Sequence, residues 1–179
     1  MSRKLLLELV GFQLVWWVSA FGAATGAGTP GVTASAAFVA LQTASGERPT
    51  TIWLPAAAAA VLGLCTENIL VAHELVRYAA PWPGADYAPA WIVALWAAFG
   101  TTVCTVRKAL GYRPYLNGAA LGAALGPASY LAGAGIGALK LGEPSVTSLL
   151  SIAVLWGVAL PLLLLVLNLV EERYRASTT

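Results

Sequence analysis

The chain has 179 residues, of which 59% are hydrophobic and 10% charged, with ten Lys or Arg against eight Asp or Glu. A soluble domain carries about a quarter charged residues, so this composition, with a mean hydropathy of +0.76, excludes one and points to a lipid bilayer. The basic residues come in ones and twos beside apolar runs, not in a patch, which excludes nucleic acid as a partner.

In lipid each crossing must satisfy its own backbone, as a helix or as part of a closed barrel. Barrel strands alternate apolar and polar residues over about 10 positions, and segments such as Leu160–Val170 do not. The expected fold is therefore all-α: a polytopic membrane protein with six transmembrane helices in one bundle. The apolar runs fall at roughly 5–24, 27–44, 52–73, 88–106, 115–139 and 145–170, most of them near the ~20 residues that cross a bilayer. They use up most of residues 1–179, which form a single domain.

The first span resembles a secretory signal in its opening Arg3-Lys4, but it carries Glu8 and Gln13 and is too long for an ordinary signal core. It is expected to stay as a helix. Gln13 precedes Trp16 and Trp17 by three and four residues, so the three share a face. The second span is short and rich in Ala, Thr and Ser, and ends at Ser45-Gly46-Glu47-Arg48-Pro49. It needs protein neighbours more than lipid. The third turns polar at Glu67-Asn68, followed by His73, Glu74 and Arg77, and leads into a proline-rich loop around Trp82. The fourth has Trp91 and Trp96 toward one end and Thr101, Thr102 and Thr105 toward the other.

The fifth span is a packing helix. Gly118, Gly122 and Gly126 recur every fourth residue, and Gly133 and Gly137 repeat the spacing, which lets a neighbouring backbone approach closely. Pro127, between the two stripes, should kink the helix. The Gly133–Gly137 run looks like a dinucleotide fingerprint, but it sits within an apolar helix, where packing explains it. The sixth span carries Trp156 and Pro161 and ends near Asn168.

Alternating the connections puts Arg3, Lys4, Arg48, Arg107, Lys108, Arg113, Arg173 and Arg175 on one side and leaves Arg77 and Lys140 on the other. The positive-inside rule then expects both termini in the cytoplasm. Cys65 and Cys104 fall at different depths and are expected to be packing thiols, not a disulfide.

Glu67 is the first candidate for chemistry. A carboxylate inside a span costs a few kcal/mol, so it must be buried in protein or hydrated, here by the fourth or fifth helix. If the third helix continues, Glu67, His73, Glu74 and Arg77 form one polar wall, and Glu67, His73 and Glu74 are the catalytic candidates. His73, Glu74 and Arg77 equally fit ordinary solvated residues at the outer interface. Glu67 equally fits a structural carboxylate hydrogen-bonded to Asn68 or a neighbouring helix. A single His and the absence of a zincin spacing speak against a metal, and no other cofactor is expected. Trp53, Trp82 and Trp91 should lie at membrane interfaces. Trp16, Trp17, Trp96 and Trp156 lie deeper and need hydrogen-bond partners, for which Gln13, Ser129, Tyr130 and the threonines of the fourth span are available. A candidate ligand-binding set follows: Gln13, Trp16, Trp17, Glu67, Asn68, Trp96, Ser129, Tyr130 and Trp156.

The stretch Ala88-Pro89-Ala90-Trp91-Ile92-Val93-Ala94-Leu95-Trp96-Ala97-Ala98-Phe99, with Phe12-Gln13 and Trp16, and Gly126-Pro127-Ala128-Ser129-Tyr130-Leu131-Ala132-Gly133, resembles the bacterial membrane family called domain of unknown function 2878. The similarity runs from the first span to Trp156–Pro161. Family members carry Asp-Ser where this chain has Glu67-Asn68, so the acid is kept in type but lengthened. The resemblance implies no defined activity. Occurrence of the family beside lipid-modifying and light-stress genes implies a lipid-linked role.

Three readings are compatible with these features. The first is a non-enzymatic inner-membrane protein that binds or carries an apolar or lipid-like molecule, or assists a partner that does. The second is a lipid-modifying enzyme using Glu67 as acid or base. The third is a structural subunit whose glycine face docks another membrane protein.

Overall fold

The computed structural model describes residues 3–45 and 49–177; Arg48 of the basic set lies outside them. Six helices follow in order: α1 (Arg3–Ala24), α2 (Thr29–Ala44), α3 (Pro49–Ala72), α4 (Ala90–Ala109), α5 (Pro114–Gly135) and α6 (Ser145–Ser177). Among the described residues, four helices are long and apolar enough to cross a membrane, over Lys4–Ala24, Thr50–Ala72, Ala90–Ala109 and Ser145–Arg173. The other two are weaker for physical reasons. α2 has 16 residues, about 24 Å at 1.5 Å per residue, and the apolarity of α5 is diluted by glycine, proline and polar residues such as Asn117 and Ser129.

Local chemistry sets several helix ends. Proline stands in the first turn of α2 and of α5, where its fixed φ suits helix entry and its missing N–H costs nothing. Arg107 and Lys108 occupy the last turn of α4 and complement the negative end of its dipole. At that end Arg107 also donates to Asn168 and, at 2.9 Å, to Glu171 on α6, while Asn168 donates to the Tyr115 hydroxyl on α5. A residue that the sequence marks only as one of the basic set on one side thus helps tie three helices together.

The helices pack α5 on α6, α3 on α4, and α2 on both α1 and α4, with α3 also against α6. Missing side chains decide the two closest crossings. A methyl at Gly122 would stand 2.3 Å from the Trp156 carbonyl oxygen, one at Gly126 2.7 Å from the Trp156 ring, and one at Gly118 2.9 Å from Leu164. The glycine stripe of the fifth helix is therefore filled by α6 of the same chain, not held open for another protein. On α3 and α4 a second pair does the same work. Gly63 would strike the Trp96 ring at 2.2 Å and Gly100 the Pro55 carbonyl at 2.4 Å.

Two features correct the purely helical expectation. α3 ends at Ala72, Glu74 adopts φ 55°, and Val76–Tyr78 becomes a short strand, β1. It pairs antiparallel with β2 (Leu139–Leu141), with Val76 opposite Leu141, Arg77 opposite Lys140 and Tyr78 opposite Leu139. The fifth helix likewise stops at Gly135 instead of 139. Gly137 lies in the turn beyond it at φ 85° and is exposed, so it serves the backbone turn and is not part of the packing stripe. Gly133 is buried against Leu139 of β2, while Gly135 faces open space. The apolar–basic–apolar triplets Val76-Arg77-Tyr78 and Leu139-Lys140-Leu141 explain the ribbon, since alternation turns the apolar residues inward and the charges outward. The ribbon joins the α3–α4 and α5–α6 connections. The α1–α2 turn approaches the same end, where Gly28 backs onto Trp91 near the start of α4.

Candidate functional site

Glu67 is completely buried on α3, and its carboxylate is the hub of the molecule. The Trp96 indole N–H on α4 donates to Oε1 at 2.7 Å, and the Tyr130 hydroxyl on α5 donates to the same oxygen at 2.5 Å. The Tyr78 hydroxyl on β1 donates to Oε2. The two oxygens of the carboxyl group thus meet three donors from three elements. Each donor side chain is itself buried. Four elements are pinned at one acid, and the three hydrogen bonds offset the cost of burying its polar oxygens in the apolar interior.

On the far side of Trp96 and Tyr130 lies a cavity of about 560 Å³, within the range of small-molecule pockets. α4 supplies Trp91, Trp96 and Phe99, α1 supplies Phe12, Gln13, Trp16 and Trp17, and α5 and α6 supply Ser129, Tyr130 and Trp156. Trp96 and Trp156 stack with centroids 4.3 Å apart, and Phe99 leans on both. Among the described residues, no Asp, Glu, Lys, Arg or His lines it. α1 and α5 face each other across this space without packing along their lengths. The lining residues Gln13, Trp17, Leu125, Ala128 and Ala132 are exposed there. The opening is thus lateral, between two helices, halfway along α1.

Seven of the nine residues in the candidate ligand set line this cavity: Gln13, Trp16, Trp17, Trp96, Ser129, Tyr130 and Trp156. Glu67 does not reach it, since Trp96 and Tyr130 stand between. Asn68 is elsewhere, donating to the Leu64 carbonyl at 2.8 Å and accepting from the Ala88 N–H at 2.9 Å, so it fastens the α3–α4 loop.

The polar wall does not form. His73 and Glu74 are exposed, Glu74 pairs with Arg77 at 3.1 Å on the surface, and neither approaches Glu67. The break at Ala72 is the cause, because the seven-residue spacing that aligns Glu67 with Glu74 holds only on a continuous helix. Partners of the deep tryptophans also differ from expectation. Ser129 bonds the Gly126 carbonyl, and Thr101 and Thr102 bond carbonyls of their own helix. The Trp156 indole lies close to the Tyr130 hydroxyl but outside hydrogen-bond geometry. Cys65 is exposed and Cys104 partly buried, so only the latter is a packing thiol. Trp53 and Trp82 are exposed, as interfacial rings should be, but Trp91 is 3% exposed and lies edge-on to Tyr78.

Sequence reasoning missed Tyr78 as the third donor and Trp91 and Phe99 as cavity walls. The signal for Tyr78 was available in the paired triplets of the two connections. Trp91 carried no signal that separates a buried ring from an interfacial one.

No curated protein and no solved structure matches the chain. A family model described as "Protein of unknown function (DUF2878)" matches residues 5–162. The quoted motifs of α1, α4 and α5, and the hub and cavity they build, all lie inside that match, and the chain belongs to this family.

Proposed function

We propose that this is a multi-pass protein of the bacterial inner membrane that binds an apolar or lipid-like molecule in the α1–α4–α5–α6 cavity, as a carrier or as an accessory to a lipid-modifying partner. The observation that carries the reading is the aromatic, uncharged cavity with its lateral opening. A site reached from the aqueous phase gains from polar or charged rims, whereas one opening between helices suits a ligand already dissolved in lipid. Glu67 acts here as a positioning residue: it fixes Trp96 and Tyr130, two walls of the cavity, and spends both oxygens doing so.

A six-span topology with both termini cytoplasmic fits the same picture. The ribbon brings together the connections on either side of the α4–α5 pair, so α5 returns across whatever α4 crosses. The α1–α2 turn lies at the Trp91 end of α4, and α3 ends at the ribbon, so α2 runs back between them. The eight-to-two split of Lys and Arg supports the cytoplasmic side for the opposite end.

The test is extraction of purified protein and mass spectrometry of the co-purified lipids, comparing wild type with Ala128→Trp. Ala128 lines the opening and is exposed, so an indole there obstructs the mouth without a clash inside. A neutral lipid enriched over bulk membrane in wild type and lost in Ala128→Trp supports the reading. Identical lipid profiles in the two proteins contradict it.

A further inference from the structure

The polar side chains of the cavity wall differ in what they are bonded to. Tyr130 donates to Glu67, and Ser129 donates to the Gly126 carbonyl at 2.8 Å. The Gln13 amide, which can both donate and accept, has no hydrogen-bond partner among the described residues. It lines the cavity at the opening, where it is exposed. Its depth makes that exposure costly. α1 is long and apolar enough to cross a membrane over Lys4–Ala24, and Gln13 lies nine residues from one end of that run and eleven from the other. At 1.5 Å per residue this is about 14–16 Å from either end, the middle of a hydrocarbon core about 30 Å thick. An unbonded amide in hydrocarbon is expensive. Two-chain membrane lipids carry their oxygens at the interface, so their chains offer it no partner at that depth. On either side of Gln13 the cavity wall turns apolar: Leu9, Val106 and Leu160 lie toward one end, Ala20, Ala138 and Leu139 toward the other.

We infer that Gln13 selects the cavity ligand, a neutral long-chain molecule that carries a hydrogen-bonding oxygen part-way along its apolar body. The oxygen meets the Gln13 amide at the opening, and the apolar parts on either side of it run along the two apolar ends of the wall. A plain hydrocarbon leaves the amide unbonded. A charged headgroup finds no charged side chain on the wall among the described residues. Polar side chains also bond between membrane helices, so a second copy of the chain is the rival partner for this amide. The place of Gln13 on the cavity wall, beside Phe12, Trp16 and Trp17, favours the ligand. This inference rests on the cavity-binding reading and narrows it to a ligand class and the residue that chooses it.

The test uses the full-length protein in phosphatidylcholine bilayers, labelled at the opening by a neutral lipid-soluble diazirine probe. Two competitors are titrated against the label, each expressed as its mole fraction in the bilayer: a long straight-chain alkane and the same chain with one mid-chain ketone. The ketone is expected to displace the label at about threefold to tenfold lower mole fraction, the equivalent of one net hydrogen bond. In Gln13→Met, which keeps the length of the side chain and removes the amide, the two competitors should become equal. Equal potency against wild type overturns the inference and leaves the cavity reading standing. A ketone preference that persists in Gln13→Met also overturns it. So does a wild type that is dimeric in bilayers by single-molecule photobleaching and monomeric in Gln13→Met, which assigns the amide to a second copy. Displacement by neither competitor removes the cavity reading itself. The wild-type comparison decides the matter even if Gln13→Met does not fold.

Discussion

Replacing Glu67 by Leu should be among the most damaging single changes in the protein, and adding further substitutions should partly repair it. The single change leaves the Trp96 indole and the Tyr78 and Tyr130 hydroxyls without their acceptor in a buried site. Each orphaned buried donor costs about 1–3 kcal/mol, so the three together cost about 3–9 kcal/mol before any relaxation. Glu67→Gln keeps one carbonyl oxygen, which can still serve Trp96 and Tyr130, and presents an amide N–H to Tyr78. One hydroxyl loses its acceptor, at about 1–3 kcal/mol. In a chain of this size a kcal/mol moves Tm by about 2–4 °C, so Glu67→Gln should melt about 2–12 °C lower, and Glu67→Leu lower again. The triple variant Glu67→Leu, Tyr78→Phe, Tyr130→Phe removes two of the three orphaned donors along with the acid. Replacing both partners of a buried polar pair with apolar groups is nearly neutral, so the triple should melt above the single. The assay is thermal unfolding of detergent-solubilised protein, followed by near-ultraviolet dichroism of the tryptophans. A triple variant less stable than Glu67→Leu, with the phenylalanine losses simply adding, would refute the reasoning.

Four further outcomes are expected. Gly122→Ala should lower Tm more than Leu121→Ala, because its new methyl meets the Trp156 carbonyl oxygen at 2.3 Å and overpacking typically costs about 1–3 kcal/mol; an equal or smaller loss would mean that α5 does not press on α6. Gly63→Ala should lower Tm and perturb tryptophan fluorescence together, since its methyl meets the Trp96 ring at 2.2 Å; loss of stability with unchanged fluorescence would contradict that contact. Cysteines at Arg77 and Lys140, which face each other across the ribbon, stand at the ~4.5–5.5 Å Cα spacing of an antiparallel pair, within disulfide reach, and should cross-link under mild oxidant, as seen by gel shift after cleavage between them; no cross-link would contradict the pairing. Reporter fusions at Gly84 and Gly142 should read periplasmic and those in Arg107–Arg113 cytoplasmic, and a periplasmic signal from Arg107–Arg113 would overturn the proposed topology.

Much of the helical frame was legible because lipid imposes long apolar runs, and the glycine spacing in 118–126 marked a close backbone contact, although only the structure names α6 as its partner. The candidate cavity was legible for a related reason. Deep tryptophans cannot be spread at random through a bundle, and Gln13, Trp16 and Trp17 share a face by spacing alone. What escaped was the end of α3. Its residues Glu67 to Arg77 read smoothly as a polar helix, and nothing local marks Glu74 as the residue that takes positive φ. The strand that follows is stabilised by a partner more than sixty residues away, and pairing at that separation leaves only a weak trace in either segment. The same break turned Glu67 from one end of a polar wall into an isolated hub, and it brought Tyr78 back to meet it.

The central claim, that an apolar molecule enters the bundle between α1 and α5, is tested most directly by photolabelling. A neutral lipid-soluble diazirine probe would be equilibrated with the protein in bilayers, photolysed, and mapped by peptide mass spectrometry. The account predicts labels concentrated on Phe12–Trp17 and Leu121–Ala132, suppressed in Ala128→Trp. Labels spread evenly over the exposed α6 residues Leu150, Val154, Val158 and Leu162, with no enrichment at the α1–α5 opening, would contradict it.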